Sequence, residues 1–149
     1  METLVVGAGS MGRWAGRVVR DALELAPVFL DRDPGTAREA AAAVGGRALD
    51  PEEAAGGGDE TFAGGCVAVP IPGAADAIRR YGPLAREAVL DVTGTMAGPV
   101  AAMADLSGPE LASLHPLFAP DSEPGNVPVV VDQRGPTVEA VLTTLEDRG

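Results

Sequence analysis

Residues 3–12 read TLVVGAGSMG, and this stretch decides the fold of the chain. A short apolar run leads directly into three glycines, Gly7, Gly9 and Gly12, which are spaced as GxGxxG. A continuous apolar run is typical of a strand that is buried on both faces of a parallel sheet. The stretch therefore predicts a buried strand, a tight glycine turn and the start of a helix.

Each glycine in this turn has its own physical use. Gly7 lets the chain turn sharply off the strand, and Gly12 lets the helix pack closely against the sheet. Gly9 lets a pyrophosphate approach the backbone without meeting a Cβ, and the helix N-terminus offers free N–H groups. The alternative is that the glycines form only a tight turn. The predicted cofactor-binding loop comprises Gly7, Ala8, Gly9, Ser10, Met11 and Gly12.

A carboxylate stands where a dinucleotide site needs one. Asp31 ends the apolar segment PVFLD, 19 residues after Gly12. From the tip of a second strand it would accept hydrogen bonds from both hydroxyls of an adenosine ribose. A 2′-phosphate would face this carboxylate, so NAD is favoured over NADP. The adjacent Arg32 is also assigned to the cofactor site, where it would pair with a phosphate, so NADP is the alternative cofactor. The non-functional interpretation of Asp31 is an ordinary surface carboxylate.

Short apolar strands alternate with alanine-rich helical segments along the rest of the chain. Asp33-Pro34 and Asp50-Pro51 each combine a helix N-cap with a proline at the first helical position, and Gly45-Gly46 ends a helix. The alternation predicts an α/β fold: a doubly wound, mostly parallel sheet with helices on both faces, in one domain over residues 1–149. Further strands are predicted at 27–31, 47–49, 66–69, 88–92, 111–114 and 127–131. Helices are predicted at 11–23, 34–44, 73–87, 99–106 and 136–145, and the one at 73–87 is expected to be interrupted at Gly82-Pro83.

The composition excludes several classes of protein. Eleven arginines face 22 acidic residues and there is no lysine, so the net charge is −11. Because phosphate affinity needs an excess of cations, a general nucleic-acid binder is excluded. The missing lysine excludes Schiff-base chemistry. A single cysteine, Cys66, excludes a disulfide scaffold and a thiolate cluster, and we expect no metal site.

We expect a cytoplasmic protein that does not enter membranes. The sequence contains no run of the roughly 18 apolar residues that a membrane span needs, and it shows no charged-then-apolar leader. The acidic residues are spread along the chain. They form either an ordinary solvated surface or, as the missing lysine favours, an adaptation to high salt, where screening makes a large net charge tolerable.

Two further positions are candidates for the chemistry. His115 is the only histidine, and it precedes Pro116, which keeps its backbone extended. A neutral imidazole at the mouth of the sheet can accept a proton from a substrate hydroxyl while a hydride leaves the same carbon. A solvent-facing histidine is the alternative. Pro70 follows the strand predicted at 66–69 and would line the nicotinamide half of the crevice, unless it only stiffens a turn.

Four segments are similar to prephenate and arogenate dehydrogenases. LHPLFAPDS at 114–122 resembles that family's His-Pro-hydrophobic-Phe-Gly-Pro segment and is the most specific of the four. VVGAGSMGRW at 5–14 resembles the family's nucleotide loop. The other two are VAVPIP at 67–72 and VLDVTGT at 89–95, the latter similar to the fifth strand. The likeness covers nearly all 149 residues and corresponds to the family's N-terminal domain.

The resemblance implies a Rossmann domain, which in the family precedes an all-helical dimerisation domain. It implies oxidative decarboxylation of prephenate to 4-hydroxyphenylpyruvate, or of arogenate to tyrosine, with hydride passing to the nicotinamide. By resemblance, His115 hydrogen-bonds the substrate hydroxyl, and the glycine loop and Asp31 hold NAD. The implied partners are a small-molecule substrate and a second copy of the chain in a homodimer.

The sequence also departs from the family. Family members carry Ser-x-Lys after the fifth strand, whereas Gly94 and Met96 stand at those positions here. Thr95 is the catalytic candidate for the missing hydroxyl, with Thr93 as the other choice, and Ala119 replaces a glycine. We expect the helical domain to be absent from these 149 residues. Two other functions stay open: another NAD(P)- or deazaflavin-dependent reductase, and a non-catalytic regulatory module that binds a dinucleotide.

Overall fold

The computed structural model describes residues 2–52, 61–69, 71–92, 102, 110–114, 129–133 and 135–147. Within these residues the chain forms one seven-stranded sheet flanked by helices. The strands are β1 (Glu2–Val6), β2 (Ala26–Leu30), β3 (Arg47–Leu49), β4 (Phe62–Val67), β5 (Ala85–Asp91), β6 (Glu110–Leu114) and β7 (Val129–Gln133). The helices are α1 (Ser10–Leu23), α2 (Pro34–Val44), α3 (Ile71–Tyr81) and α4 (Pro136–Asp147), and a 3₁₀ turn covers Gly82–Leu84.

The sheet is doubly wound and mostly parallel, as predicted. Its strand order is β3-β2-β1-β4-β5-β6-β7. Strands β1 to β6 pair in parallel, whereas β7 runs antiparallel to β6. From β1 the chain winds outward to β3 and then crosses back to β4 on the other side of β1. The order therefore reverses between β1 and β4, where a crevice opens at the carboxyl ends of the strands.

Helices cover both faces of the sheet, because each strand directs alternate side chains to opposite sides. Val5, Phe29 and Leu90 share one apolar cluster with side chains of α1, α2 and α4. Leu4 belongs to the cluster on the other face, where Ile78 of α3 is fully buried. On the first face α1 packs against α4. Burial on both faces explains why β1 is a continuous apolar run.

The predicted signals for the start and end of α2 are confirmed. Asp33 is the N-cap residue, and its Oδ1 accepts a hydrogen bond from the N–H of Gly35 at 2.9 Å. Pro34 is the first helical residue, where its missing N–H costs no hydrogen bond. Gly45, with a φ of +98°, is the C-cap residue. The carboxylate of Asp50 makes the same kind of local bond after β3.

The interruption predicted at Gly82-Pro83 is confirmed, but the helix predicted to continue after it to residue 87 is wrong. α3 ends at Tyr81, and β5 already begins at Ala85, which pairs with Phe62 of β4. The physical reason is the Gly82-Pro83 pair, which ends the α-helix and forms a 3₁₀ turn. The following residues then hydrogen-bond to β4 instead of continuing the helix.

β4 is longer than the strand predicted at 66–69. It begins at Phe62 and contains Gly64 and Gly65, which pair with both β1 and β5. Glycine weakens an isolated strand, but pairing on both sides offsets that cost here. The predicted strand at 127–131 is found as β7 with shifted bounds. The helix predicted at 99–106 lies outside the described residues except for Ala102, which is helical.

A carboxylate from β6 caps the start of α4. Glu110 accepts hydrogen bonds from the N–H of Val138 at 2.9 Å and from the N–H of Thr137 at 3.1 Å. A Cβ on Gly135 would lie 2.7 Å from Cδ of Glu110, so a glycine permits this close approach. The cap ties the last described helix to the strand that leads to His115. No local pattern in the sequence predicts this contact.

Cys66 lies fully buried in β4 as a free thiol. Burial, with a further contribution from the negative charge of Asp91, raises the pKa of this thiol to about 12. The thiol is therefore neutral at physiological pH and unsuited to act as a nucleophile. Among the described residues, no cluster of three His, Cys, Asp or Glu side chains is placed to hold a metal ion. Within the same ranges, every helix is too short or too polar to cross a membrane.

Candidate functional site

A cleft opens at the carboxyl ends of β1, β2 and β4, where the strand order reverses. Its volume is about 1250 Å³. Clefts that hold drug-sized ligands measure roughly 300–1,000 Å³, so there is space for an extended ligand. The glycine loop forms one wall and α3 forms another. Its described lining includes Gly7, Gly9, Asp31, Arg32, Val69 and Arg80.

The turn at Gly7 requires glycine. Its φ is +97°, a backbone conformation that other residues rarely adopt. Its N–H donates to the carbonyl oxygen of Leu30 at 2.8 Å, which fixes the turn against the end of β2. A Cβ at Gly7 would lie 2.5 Å from the carbonyl oxygen of Ala68. Conformation and space therefore both explain the first glycine of the motif.

Gly12 and Gly9 have different environments. A Cβ on Gly12 would collide with the backbone carbonyl of Gly7. A Cβ on Gly9 would meet no described atom within 4 Å and would project into open space. Gly12 is thus required by the packing of α1 under the loop. Gly9 leaves the backbone accessible to a ligand, and its role in binding a pyrophosphate stays a prediction.

The N-terminus of α1 is open to the cleft. Gly9 is the N-cap residue, and the first turn contains no acidic residue. Ser10 and Met11 of this turn line the cleft. The first N–H groups of a helix lack intrahelical partners and carry a partial positive charge. Among the described residues no side chain bonds to them, so an anionic group can take this position.

Asp31 joins the glycine loop to the turn before α2. Its Oδ2 accepts a hydrogen bond from the N–H of Ala8 at 2.9 Å, and its Oδ1 accepts one from the N–H of Asp33 at 2.9 Å. The side chain is half-buried and lines the cleft. Each carboxylate oxygen can accept a second hydrogen bond. Asp31 can therefore bind ribose hydroxyls while it holds the loop, and this second role was not predicted.

The two arginines near the loop have different surroundings. Arg32 is exposed and lines the cleft directly after Asp31. Arg13, in the first turn of α1, lies 3.7 Å from the carboxylate of Glu39 on α2. Its guanidinium is therefore directed to α2, which agrees with a solvated structural arginine. Arg32 is the arginine of this pair that a cofactor would meet.

The wall formed by α3 was missed by the sequence analysis. Gly73, Ala77, Arg80 and Tyr81 line the cleft together with Asp76. Their spacing of three to four residues places them along one side of the helix. That periodicity was a usable signal, but the sequence alone did not show which side of the helix would border the cleft.

Three predicted site residues, Pro70, Thr95 and His115, lie outside the described residues. Val69, directly before Pro70, and Val92, shortly before Thr95, both line the cleft. β6 is parallel to β5, so Leu114, the residue before His115, lies at the same edge of the sheet. The roles of these three residues stay predictions.

Solved structures share this architecture over the whole chain. Prephenate dehydrogenase from Aquifex aeolicus, in complex with hydroxyphenyl propionate and NAD⁺, aligns with a TM-score of 0.72 at 15% identity, over 100% of this chain and 58% of that one. The chain has a Rossmann fold. The reductive aminase from Aspergillus terreus with NADPH and ethyl levulinate aligns with a TM-score of 0.63 at 15% identity, over 97% of this chain and 52% of that one.

A third structure with this Rossmann fold is a Bacteroides fragilis protein assigned as an NADP oxidoreductase. It aligns with a TM-score of 0.68 at 16% identity, over 99% of this chain and 62% of that one. The chain thus spans about half to three-fifths of the length of these three proteins. No protein-family profile and no curated protein matches the sequence.

Proposed function

We propose that this chain is the nucleotide-binding domain of an NAD-dependent dehydrogenase of the prephenate and arogenate type. The observation that carries the proposal is the cleft at the strand reversal, where the accessible backbone at Gly9 lies beside the carboxylate of Asp31. A diphosphate fits the helix N-terminus, and ribose hydroxyls fit the free acceptor sites of Asp31. NAD is favoured over NADP because a 2′-phosphate would meet this carboxylate.

The substrate class rests on the resemblance of the sequence. The segment LHPLFAPDS at 114–122 supports the prephenate and arogenate type. The Aquifex aeolicus enzyme, with a TM-score of 0.72, is a prephenate dehydrogenase in complex with NAD⁺. Both lines of support point to oxidative decarboxylation in tyrosine biosynthesis, and the proposed location of this reaction is the cytoplasm.

In this proposal each residue of the site has its own role. The α1 N-terminus and Gly9 bind the diphosphate, and Asp31 orients the adenosine ribose. The nicotinamide, when bound, supplies the acceptor for the hydride. His115 takes the proton from the substrate hydroxyl, and Thr95 provides a second hydroxyl contact. Loss of CO₂ makes the ring aromatic and drives the reaction forward.

The remaining substrate contacts and the dimer interface belong, in this proposal, to a helical domain. In the family that domain follows the Rossmann domain, and this chain spans 58% of the Aquifex aeolicus enzyme. The proposed partners are a small-molecule substrate and a second copy of the chain.

A second candidate is a module that binds a dinucleotide without catalysis. Gly94 and Met96, in place of serine and lysine, favour it, because they remove two polar groups from the substrate end. A third is a different reductase, which the Bacteroides fragilis and Aspergillus terreus structures support as neighbours of the fold.

The experiment is to add NAD⁺ with prephenate, and separately with arogenate, and to follow NADH absorbance at high salt. Turnover that is lost in His115→Asn, with NAD⁺ binding retained by calorimetry, supports the dehydrogenase. Saturable NAD⁺ binding without turnover on either substrate, when the helical domain is also supplied, indicates the non-catalytic module. The absence of binding to any nicotinamide dinucleotide by folded protein would overturn the proposal.

A further inference from the structure

We propose that Arg80 is a stacking platform for the adenine base of the bound dinucleotide. The inference rests on the proposed function, because it assigns a ligand contact within the same cleft. Arg80 lies in the last turn of α3 and lines the cleft. No motif in the sequence points to it.

The guanidinium of Arg80 lies over the ring of Tyr81. Its Cζ lies 5.4 Å from the centroid of the Tyr81 ring, and both side chains line the cleft. Tyr81 is half-buried and packs against the apolar cluster on the α3 face of the sheet. The cleft that Arg80 lines also borders Arg32 and Pro51, on the side of β1 that carries Asp31. That side receives the adenosine half of a dinucleotide.

Arg80 and the adjacent Arg79 differ in the charged groups that surround them. Arg79 lies 3.8 Å from the carboxylate of Asp76. Arg80 has no carboxylate within 4.0 Å among the described residues, although the chain carries 22 acidic residues against 11 arginines. A guanidinium is planar and weakly hydrated, so its face stays available for a second aromatic partner. An adenine ring on that face would complete a stack of tyrosine, arginine and base.

The test compares Arg80→Ala with Arg79→Ala, which removes the same charge from the same helix. Calorimetry measures the affinity of each folded protein for NAD⁺ and for ADP-ribose, which carries the adenine but no nicotinamide. We expect Arg80→Ala to weaken both ligands by about tenfold. We expect Arg79→Ala to bind both as the unchanged chain does.

Arg80→Lys separates stacking from attraction to a phosphate, because lysine keeps the charge without the planar face. We expect it to bind as weakly as Arg80→Ala. Full affinity in Arg80→Lys would overturn the stacking and indicate an anionic group instead. Unchanged NAD⁺ affinity in Arg80→Ala, or a loss for NAD⁺ without a loss for ADP-ribose, would also overturn it. If the unchanged chain binds neither ligand, the proposed function itself is wrong.

Discussion

The carboxylate of Asp31 accepts a hydrogen bond from the N–H of Ala8 at 2.9 Å, across 23 residues of sequence. Asp31, which is predicted to bind the adenosine ribose, therefore also fixes the glycine loop. That loop is predicted to bind the diphosphate. If the site binds a dinucleotide as proposed, we expect this one side chain to couple the binding of the two halves of the ligand.

Asp31→Ala is expected to weaken NAD⁺ binding and to relax discrimination against NADP⁺. Hydrogen bonds to charged groups contribute about 1.5–3 kcal/mol, so we expect the affinity for NAD⁺ to fall roughly 10- to 100-fold. Calorimetric titration with both cofactors checks this. Asp33→Asn is the matched control, because asparagine also caps α2. Equal affinities in Asp31→Ala and the unchanged chain would remove Asp31 from the site.

Gly9→Ala and Gly12→Ala should separate binding from folding. The Cβ of Gly9→Ala projects into open space, so we expect the melting temperature to stay unchanged and the affinity for NAD⁺ to fall. The Cβ of Gly12→Ala collides with the carbonyl of Gly7, so we expect a loss of more than about 2 kcal/mol in unfolding free energy. Thermal melts with and without NAD⁺ measure both effects. A stable Gly12→Ala protein would contradict the packing described for α1.

Glu110→Ala is expected to destabilise the fold by about 1–2 kcal/mol, because the first N–H groups of α4 lose their acceptor. Urea unfolding of this variant measures the loss. Glu146→Gln removes a negative charge from the exposed end of the same helix and should change little. An effect of equal size in the two variants would point to charge and not to the cap.

The buried thiol of Cys66 makes the free energy of unfolding depend on pH in the alkaline range. Its pKa is raised to about 12 in the fold, above the value of roughly 8.5 for a free thiol. The folded state therefore holds the proton more tightly than the unfolded state. The stability that the buried, protonated thiol contributes is complete below about pH 8.5 and is lost as the pH rises toward 12. Urea unfolding at about pH 8 and about pH 10.5 should show a larger loss in the unchanged chain than in Cys66→Ala; equal losses would contradict the burial of this thiol.

The net charge of −11 predicts a dependence on salt. Repulsion among carboxylates destabilises the compact state at low ionic strength, and screening relieves it. We expect the melting temperature to rise as KCl increases from dilute buffer to molar concentration. Full stability in dilute buffer would argue for an ordinary acidic surface.

Local patterns were enough to predict the core of the fold. The spacing of Gly7, Gly9 and Gly12, and the distance to Asp31, depend on neighbouring residues and on one strand-helix-strand unit. The contacts that were missed depend on tertiary packing. Glu110 meets Thr137 and Val138 across 27 and 28 residues, and no local signal marks that pairing. Arg80 reaches the cleft only because of how α3 is rotated on the sheet.

The packing of α1 against α4 has a consequence for how the protein is made. α1 carries the glycine loop near the start of the chain, and the helix that supports it ends at Asp147. Nearly all of these residues must therefore leave the ribosome before α4 can pack against α1 and support the loop. We expect nascent chains halted before α4 to retain little affinity for nucleotide.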